Sequence, residues 1–277
     1  MQKKISQKML QDYQCYLIQE EKSEATIEKY MRDVRSFAQY SSGQVITKEL
    51  VLEYKRRMIS AYAARSVNSK LASLTSFFRF LGWQECQVKA LRLQKQAFQP
   101  EERELTKGEY FRLLQAAKRS PRLYLLLETI CATGIRVSEL QYFTVEAVSV
   151  GTITVRCKGK TRNIFIPGKL RKRLLAFARQ KKITEGVLFR TRSGNPMNRS
   201  NIWAQMKSLC ASAQVNPKKV FPHNLRKLFA RTFYAMEKDI AKLADILGHS
   251  SINTTRIYIM TTGAEHRRQL ERMGLVV

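Results

Sequence analysis

Four residues in the last quarter of the chain have side chains that could bind an anion and supply a nucleophile. His223 and Arg226 are three residues apart, so they would share one face of a helix. His249 follows a glycine, and Tyr258 comes nine residues later. Imidazole and guanidinium groups can bind anions, and a tyrosine hydroxyl can act as a nucleophile. We therefore expect residues 221–260 to hold the reactive groups of the protein.

The charge of the chain favours a nucleic-acid partner. Its 277 residues include 50 Lys and Arg against 22 Asp and Glu, which gives a formal net charge of +28. Such a charge attracts polyanions, and the basic residues are spread along the whole chain. A membrane is the weaker alternative, because the most apolar run, residues 123–135, is too short to span a bilayer and contains Glu128. We expect no membrane partner.

Neither export nor a cysteine-based site is indicated. The first residues, MQKKISQKML, lack the apolar core of a signal peptide. The five cysteines are widely spaced and contain no CxxC pair, so they predict neither a disulfide framework nor a zinc site. We expect a cytoplasmic protein whose cysteines are reduced.

The first 83 residues are predicted to form a small bundle of four helices. Apolar residues recur there at helical spacing in four segments. Ser23 and Thr47 are the expected N-caps of the second and third helices, and Gly82 is expected to end the fourth. The bundle contains no catalytic grouping, but its basic residues are candidate DNA contacts, with an ordinary solvated surface as the alternative. These residues are Lys55, Arg56, Arg57, Arg65, Lys70 and Arg79.

A linker and a second domain follow. Residues 84–103 lose the helical periodicity and contain Pro100, which predicts a linker. The second domain, residues 104–277, opens with a capping-box pattern at Thr106 and Glu109. Its next predicted helix begins at Ser120-Pro121 and ends at Gly134.

The second domain contains one clear β signal. Residues 152–156 and 162–167 alternate or are β-branched around a turn at 157–161, which predicts a hairpin. Other elements are predicted from weaker patterns: helices at about 169–181 and 201–213, and a short strand at 187–190. The predicted fold class is therefore mainly α with a small antiparallel β-sheet.

Three further cations could belong to the reactive site. Arg136 stands among apolar residues just after the predicted helix end, where a structural salt bridge to Glu139 is an equally good interpretation. Lys158 and Lys160 lie in the turn of the hairpin, where a solvated basic turn is the ordinary explanation. What favours a functional interpretation is the order of the cations, histidines and tyrosine along the chain.

That ordered set resembles the active site of the tyrosine recombinase (lambda integrase-like) family. Four segments match the family motifs in order: ATGIRVSEL (132–140), the KGK hairpin, HNLRKLFA (223–230) and LGHSSINTTRIY (247–258). The resemblance covers most of the chain and implies a simple two-domain, Xer-like architecture. An N-terminal SAM-like core-binding domain (1–83) and a mixed α/β catalytic domain would clamp double-stranded DNA at a specific site.

The resemblance also implies a site. Its catalytic residues would be Arg136, Lys158, His223, Arg226, His249 and Tyr258. Tyr258 would attack the scissile phosphate and form a 3′-phosphotyrosyl link, which conserves the energy of the broken phosphodiester, so that no ATP, metal or cofactor is expected. The two arginines would stabilise the charge on the non-bridging oxygens.

The proton transfers are assigned less uniquely. Lys158 is the expected general acid for the 5′-oxygen, and Lys160 is its rival and a candidate DNA contact. His223 would accept the proton of Tyr258 or position its hydroxyl, and His249 would hydrogen-bond the phosphate.

Three other functions use similar features. A type IB topoisomerase shares the chemistry, but its first domain is expected to differ from a small four-helix bundle. A DNA-binding protein that has lost activity would not need every reactive residue type to be present. A metal-dependent nuclease would need an acidic cluster near the basic motifs, which the sequence lacks.

Recombination implies assembly. Exchange between two duplexes needs four cleavages, so one tyrosine per subunit implies a homotetramer on DNA, formed from monomers in solution. The tail, about 263–277, ends in apolar residues, which we expect to dock on a neighbouring subunit, with packing on its own domain as the alternative. The resemblance further implies a bacterial, nucleoid-associated enzyme for integration, excision or a related rearrangement.

Overall fold

A computed structural model of the protein describes residues 3–94, 104–157, 160–260 and 263–275. The chain forms two compact units, Met1–Lys95 and Gln96–Val277. Most of the described residues are helical, and the sheet has two antiparallel strands, so the predicted fold class is confirmed. Within the described ranges, no helix has the length and hydrophobicity that crossing a membrane requires.

The first unit contains the four predicted helices: α1 (Gln7–Gln19), α2 (Glu24–Ser41), α3 (Lys48–Ala61) and α4 (Ala64–Phe80). Thr47 caps α3, because its hydroxyl accepts a hydrogen bond from the amide of Leu50. Ser23 occupies the N-cap position of α2, but its hydroxyl pairs with that of Thr26 instead. Tyr13, whose ring is fully buried, meets aromatic residues of α4 in the core. The helices therefore close around one aromatic core.

The first unit extends beyond residue 83, where the sequence analysis ended it. A 3-10 turn at Gln84–Cys86 follows α4, and the Cys86 side chain is buried. Asn68 donates through Nδ2 to the carbonyl of Leu91 at 2.9 Å and accepts from its amide at 2.7 Å. Loss of helical periodicity thus marks extended chain that packs on the bundle. The rest of the expected linker, residues 95–103, lies outside the described residues.

The second unit begins with the predicted capping box. Thr106 accepts from the amide of Glu109, whose carboxylate accepts from the amide of Thr106. The helices that follow are α5 (Lys107–Ala116), α6 (Pro121–Thr133), α7 (Val145–Val150), α8 (Gly168–Gln180), α9 (Arg199–Ser208) and α10 (Cys210–Ala213). Toward the C-terminus come α11 (Pro222–Glu237), α12 (Ile240–Leu247), α13 (Ile252–Ile259) and α14 (Gly263–Arg272).

The predicted hairpin is present, with a shorter turn than expected. Strand β1 (Thr152–Cys157) pairs with strand β2 (Lys160–Phe165), and the last pair joins Cys157 to Lys160. Only positions 158 and 159 therefore lie between the strands, where the sequence predicted a turn over 157–161. Lys158 lies outside the described residues.

The prediction of a short strand at 187–190 is wrong. This segment forms only isolated bridges, from Val187 to Thr144 and from Arg190 to Pro196. Leu188 and Phe189 are consecutive, and both are buried in the core. In a strand with one buried face, buried and exposed side chains would alternate. The apolar run therefore reflects burial of an irregular segment.

Gly134 fixes the junction between α6 and the segment that carries Arg136. It ends α6 with φ of +63°, in the left-handed region. A Cβ atom there would lie 2.3 Å from Cδ1 of Phe229 on α11. Glycine is thus required both by the backbone and by the close approach of α6 and α11, the two helices that bound the site.

Candidate active site

Five of the six predicted catalytic residues come together in the second unit. Arg136 follows α6, and His223 and Arg226 lie on the first turns of α11. His249 lies in the turn between α12 and α13, and Tyr258 lies on α13. Three separate parts of the chain therefore supply one site. The sixth residue, Lys158, lies outside the described residues.

Arg226 is the most deeply buried charge of the site, with 1% of its side chain exposed. Its Nη1 donates to the carbonyl of Gly134 at 2.5 Å, and its Nη2 donates to the carbonyl of Leu247 at 2.6 Å. Both carbonyls lie at helix C-termini, where the helix dipole favours a cation. Burial, and then the neighbouring Arg136, lowers the pKa of Arg226 to about 10, so the group stays charged at neutral pH.

His249 is held on both ring nitrogens. Its Nε2 lies 3.0 Å from Nη2 of Arg226, and its Nδ1 lies 2.9 Å from the hydroxyl of the buried Thr255. A guanidinium can only donate, so Nε2 accepts and the proton of the neutral ring lies on Nδ1, directed at Thr255. In this arrangement, His249 supports Arg226, and its Nε2 carries no proton.

Tyr258 covers the guanidinium of Arg226. The Cζ atom of Arg226 lies 5.8 Å from the centroid of the tyrosine ring, which also packs against the rings of His223 and His249, each with centroids 4.9 Å away. The Tyr258 hydroxyl lies 3.5 Å from Nδ1 of His223. Only 8% of Tyr258 is exposed. The predicted nucleophile thus sits inside the site, next to a group that can accept its proton.

Both histidines are neutral at neutral pH. The pKa of His223 is lowered to about 4, first by partial burial, although the residue stays exposed to solvent, and then by nearby cations led by Lys227. The pKa of His249 is also lowered to about 4, by burial and then by Arg226, Arg136 and Arg162. A neutral His223 has a lone pair to accept a proton.

Arg136 forms the salt bridge that the sequence left open and also reaches the site. Its Nη1 donates to Oε1 of Glu139 at 3.0 Å, and its Nη2 donates to the carbonyl of Gly248 at 3.1 Å. Its amide donates to Oε2 of Glu139 at 2.7 Å. Its side chain remains partly exposed, unlike that of Arg226. The two interpretations of Arg136 are therefore compatible.

The candidate DNA contacts of the first unit differ in their exposure and in the contacts they already make. Arg56, Arg57, Arg65 and Arg79 are exposed. Lys55 donates to the carbonyl of Lys89 at 2.6 Å, and Lys70 lies 3.5 Å from the buried carboxylate of Asp33. Their role in DNA binding stays a prediction. Nothing is described of the side chain of Lys160.

Three residues contribute to the site without having been predicted as part of it: Glu139, Arg162 and Thr255. Glu139 was considered only as a salt-bridge partner of Arg136, yet its carboxylate also binds Arg162. Thr255 precedes Tyr258 by three residues on α13, so a shared helix face could have indicated it. The sequence gives no comparable signal for Arg162, because its contacts lie far away along the chain.

Comparison with family models identifies the family of the chain. Residues 103–265 match the phage integrase family, and residues 10–85 match the phage integrase N-terminal SAM-like domain. The chain belongs to the phage integrase family, whose members are tyrosine recombinases. It is thus an enzyme of site-specific DNA recombination, which cleaves and rejoins DNA through a tyrosine intermediate.

Individual relatives span the whole chain. Tyrosine recombinase XerA of Pyrococcus furiosus is 29% identical over 286 residues, which cover 99% of this chain and 97% of that protein. Tyrosine recombinase XerA of Thermococcus kodakarensis is 30% identical, with 97% and 96% covered. The solved structure of a lambda integrase tetramer bound to a Holliday junction has the same fold, with a TM-score of 0.71, 19% identity, and 91% and 76% covered.

The contact between Thr255 and His249 yields a prediction. Thr255→Val keeps the shape of the side chain but removes the acceptor for the Nδ1 proton, so the free energy of unfolding should fall by about 1 kcal/mol. The tautomer preference of His249 should weaken as well. Urea unfolding and ¹⁵N NMR of the ring measure both effects, and Thr255→Ser should restore them.

Thr254→Val is the matched control, because Thr254 is the exposed neighbour on the same helix. Equal effects of Thr254→Val and Thr255→Val on stability and on the His249 ring signals would contradict the assigned contact.

Proposed function

We propose that Tyr258 is the nucleophile that cleaves DNA and that His223, Arg226, His249 and Arg136 serve it at one phosphate. The observation that carries this proposal is the position of the Tyr258 ring, 5.8 Å from the guanidinium carbon of a buried arginine, with its hydroxyl 3.5 Å from Nδ1 of His223. A nucleophile, a proton acceptor and an anion-binding group thus share one site.

The proposed step balances as a transesterification. The Tyr258 oxygen forms a bond to the scissile phosphorus while the bond from phosphorus to the 5′-oxygen breaks. The hydroxyl proton passes to Nδ1 of His223, and Lys158 supplies a proton to the leaving 5′-oxygen, with Lys160 as the alternative donor. The product is a 3′-phosphotyrosyl link with a free 5′-hydroxyl. Attack by a 5′-hydroxyl from a partner strand reverses the step without ATP.

The arginines would stabilise the charge of the transition state. Negative charge develops on the non-bridging oxygens, and guanidinium groups match such oxygens with charge-assisted hydrogen bonds. Arg136 is partly exposed and can meet the phosphate directly, whereas Arg226 is covered until Tyr258 moves. A proton on Nε2 of His249, gained when Arg226 turns to the phosphate, would let that ring donate as well.

The proposed partner is double-stranded DNA with a specific recombination site, bound by both units in a bacterial cytoplasm. The net charge of +28 supports this, as do the exposed arginines of the first unit. The solved lambda integrase tetramer on a Holliday junction supports a homotetramer on DNA. We propose that the protein is a monomer in free solution. Integration or excision of a mobile element, or a related rearrangement, would use this assembly.

Tyr258→Phe tests the nucleophile. The substitution keeps the ring that packs over Arg226 and removes the hydroxyl, so DNA binding should persist while the covalent protein–DNA adduct disappears. Denaturing gels after incubation with supercoiled or genomic DNA measure the adduct, and gel shifts measure binding. Tyr234→Phe, at a partly buried tyrosine of the same unit, should leave the adduct unchanged. An adduct that survives in Tyr258→Phe would overturn the assignment.

A sulfur-substituted substrate separates the two lysines as general acid. Lys158→Ala should slow cleavage sharply on ordinary DNA, because the 5′-oxygen needs a proton to leave. A substrate with sulfur at the 5′-bridging position needs no such proton and should be cleaved at nearly the wild-type rate. Rescue of Lys160→Ala, and not of Lys158→Ala, would move the role to Lys160.

The exposed C-terminal segment tests the assembly. No residue of α14 is buried, and Leu270, Met273 and Leu275 are 54%, 57% and 77% exposed. A neighbouring subunit that covers these side chains would gain apolar burial. Ending the chain at residue 262 should therefore leave binding to a single site nearly intact and abolish the synaptic complex in gel shifts. Normal synapsis and recombination by the shortened protein would show that the segment does not join subunits.

A further inference from the structure

Arg162 is a mostly buried arginine that contacts two parts of the site. It lies on β2, and 12% of its side chain is exposed. Its Nη2 donates to Oε2 of Glu139 at 2.5 Å, and its Nη1 donates to the carbonyl of Ile246 near the end of α12. One guanidinium thus joins the hairpin to the segment after α6 and to the end of α12.

The stem of Arg162 also packs against the turn that carries His249. A Cβ atom at Gly248 would lie 2.5 Å from Cδ of Arg162 and 2.9 Å from its Nε. Gly248 has φ of +63°, so the turn already favours glycine, and the absence of a side chain there lets the arginine stem approach. The carbonyl of Gly248 in turn accepts from Nη2 of Arg136 at 3.1 Å.

Arg162 therefore contacts both groups that bind the Arg136 side chain. The carboxylate of Glu139 binds Nη1 of Arg136, and the turn at Gly248 binds its Nη2. Arg162 contacts the same carboxylate through its other oxygen and contacts the same turn from the side of the hairpin. Removing Arg162 would free both supports at once.

We propose that Arg162 is a positioning residue for DNA cleavage. It holds the two groups that anchor Arg136 and shares the negative charge of Glu139, so that Arg136 stays available to the scissile phosphate. This inference rests on the proposed role of Arg136. Glu139 alone would neutralise Arg136 as a simple ion pair. Because Arg162 shares that carboxylate, Arg136 retains positive charge for a phosphate oxygen.

A substrate without charge on the scissile phosphate distinguishes this role from simple support of the fold. Replacing one non-bridging oxygen by a methyl group gives a neutral methylphosphonate, on which a guanidinium has less charge to stabilise. Loss of Arg136 should matter much less on this substrate than on a phosphodiester. A residue that acts through Arg136 should show the same dependence on substrate charge.

The experiment compares Arg162→Met, Arg136→Ala and a control on both substrates. The duplexes carry the cleavage site mapped from wild-type covalent adducts, and the rate of adduct formation is measured. Arg162→Met should be slower on the phosphodiester by roughly 10–100-fold, the scale of a misplaced catalytic group. On the methylphosphonate, Arg162→Met and Arg136→Ala should both approach the wild-type rate.

Arg171→Met is the matched control. Arg171 also packs its stem near a positive-φ glycine, Gly151, and its guanidinium binds the carbonyls of Val148 and Ser149. Those carbonyls lie in α7, and Arg171 is not part of the contacts around Glu139. The folded Arg171→Met variant should cleave both substrates at wild-type rates.

Three results would overturn the inference: no slowing by Arg162→Met, equal slowing on both substrates, or equal slowing by Arg171→Met. If Arg162→Met does not fold, as judged by its thermal unfolding, Arg162→Lys takes its place. A lysine is shorter and has one nitrogen in place of the planar fork that donates to both Glu139 and Ile246, so the same comparison of substrates applies. Absence of an adduct from the wild-type protein would instead overturn the proposed function itself.

Discussion

The burial of one positive charge organises the second unit. Arg226 is almost fully enclosed, and a buried cation is costly unless hydrogen-bond acceptors surround it. The acceptors are carbonyls at the ends of two helices, those of Gly134 after α6 and Leu247 in α12. Gly134 can serve only because it has no side chain to strike Phe229. The packing of α6, α11 and α12 is therefore tied to the position of a single guanidinium.

Around that charge, the site keeps an excess of positive charge. Arg136, Arg162 and Arg226 lie close together, and Glu139 is the carboxylate that pairs with the first two. Burial and then nearby cations, led by Lys227 at His223 and by Arg226 at His249, lower the pKa of both site histidines, so these rings add no further charge at neutral pH. Such an arrangement is complementary to an anion, and a phosphate diester has that charge.

Much of this could be predicted from the sequence. Apolar periodicity gave the four helices of the first unit, and turn chemistry gave the capping box at Thr106 and the end of α6 at Gly134. The predicted reactive residues lie in motifs, and five of them come together. These features are local, so a window of a few residues contains the physical cause.

What sequence reasoning missed depends on contacts between distant residues. Arg162 meets Ile246, which is 84 residues away, and Glu139, which is 23 residues away. Residues 84–94 looked like a linker because a segment that packs through single side chains, such as Cys86, has no period. The run at 187–190 looked like a strand because burial alone can produce an apolar run. Periodicity identifies helices and strands, but it does not identify which buried charged side chains contact each other.

With Tyr258 as the proposed nucleophile, its burial separates recognition of DNA from cleavage. A phosphate cannot reach Arg226 while the tyrosine ring covers it, so the Tyr258 side chain must move before the reactants meet. The free energy for that shift has to come from contacts that a duplex makes elsewhere on the protein. A duplex that binds the basic surface loosely gains too little to move the ring and stays intact. Affinity for DNA in general can then be high in a cell full of DNA, while breakage is confined to the few sequences whose fit supplies the missing energy.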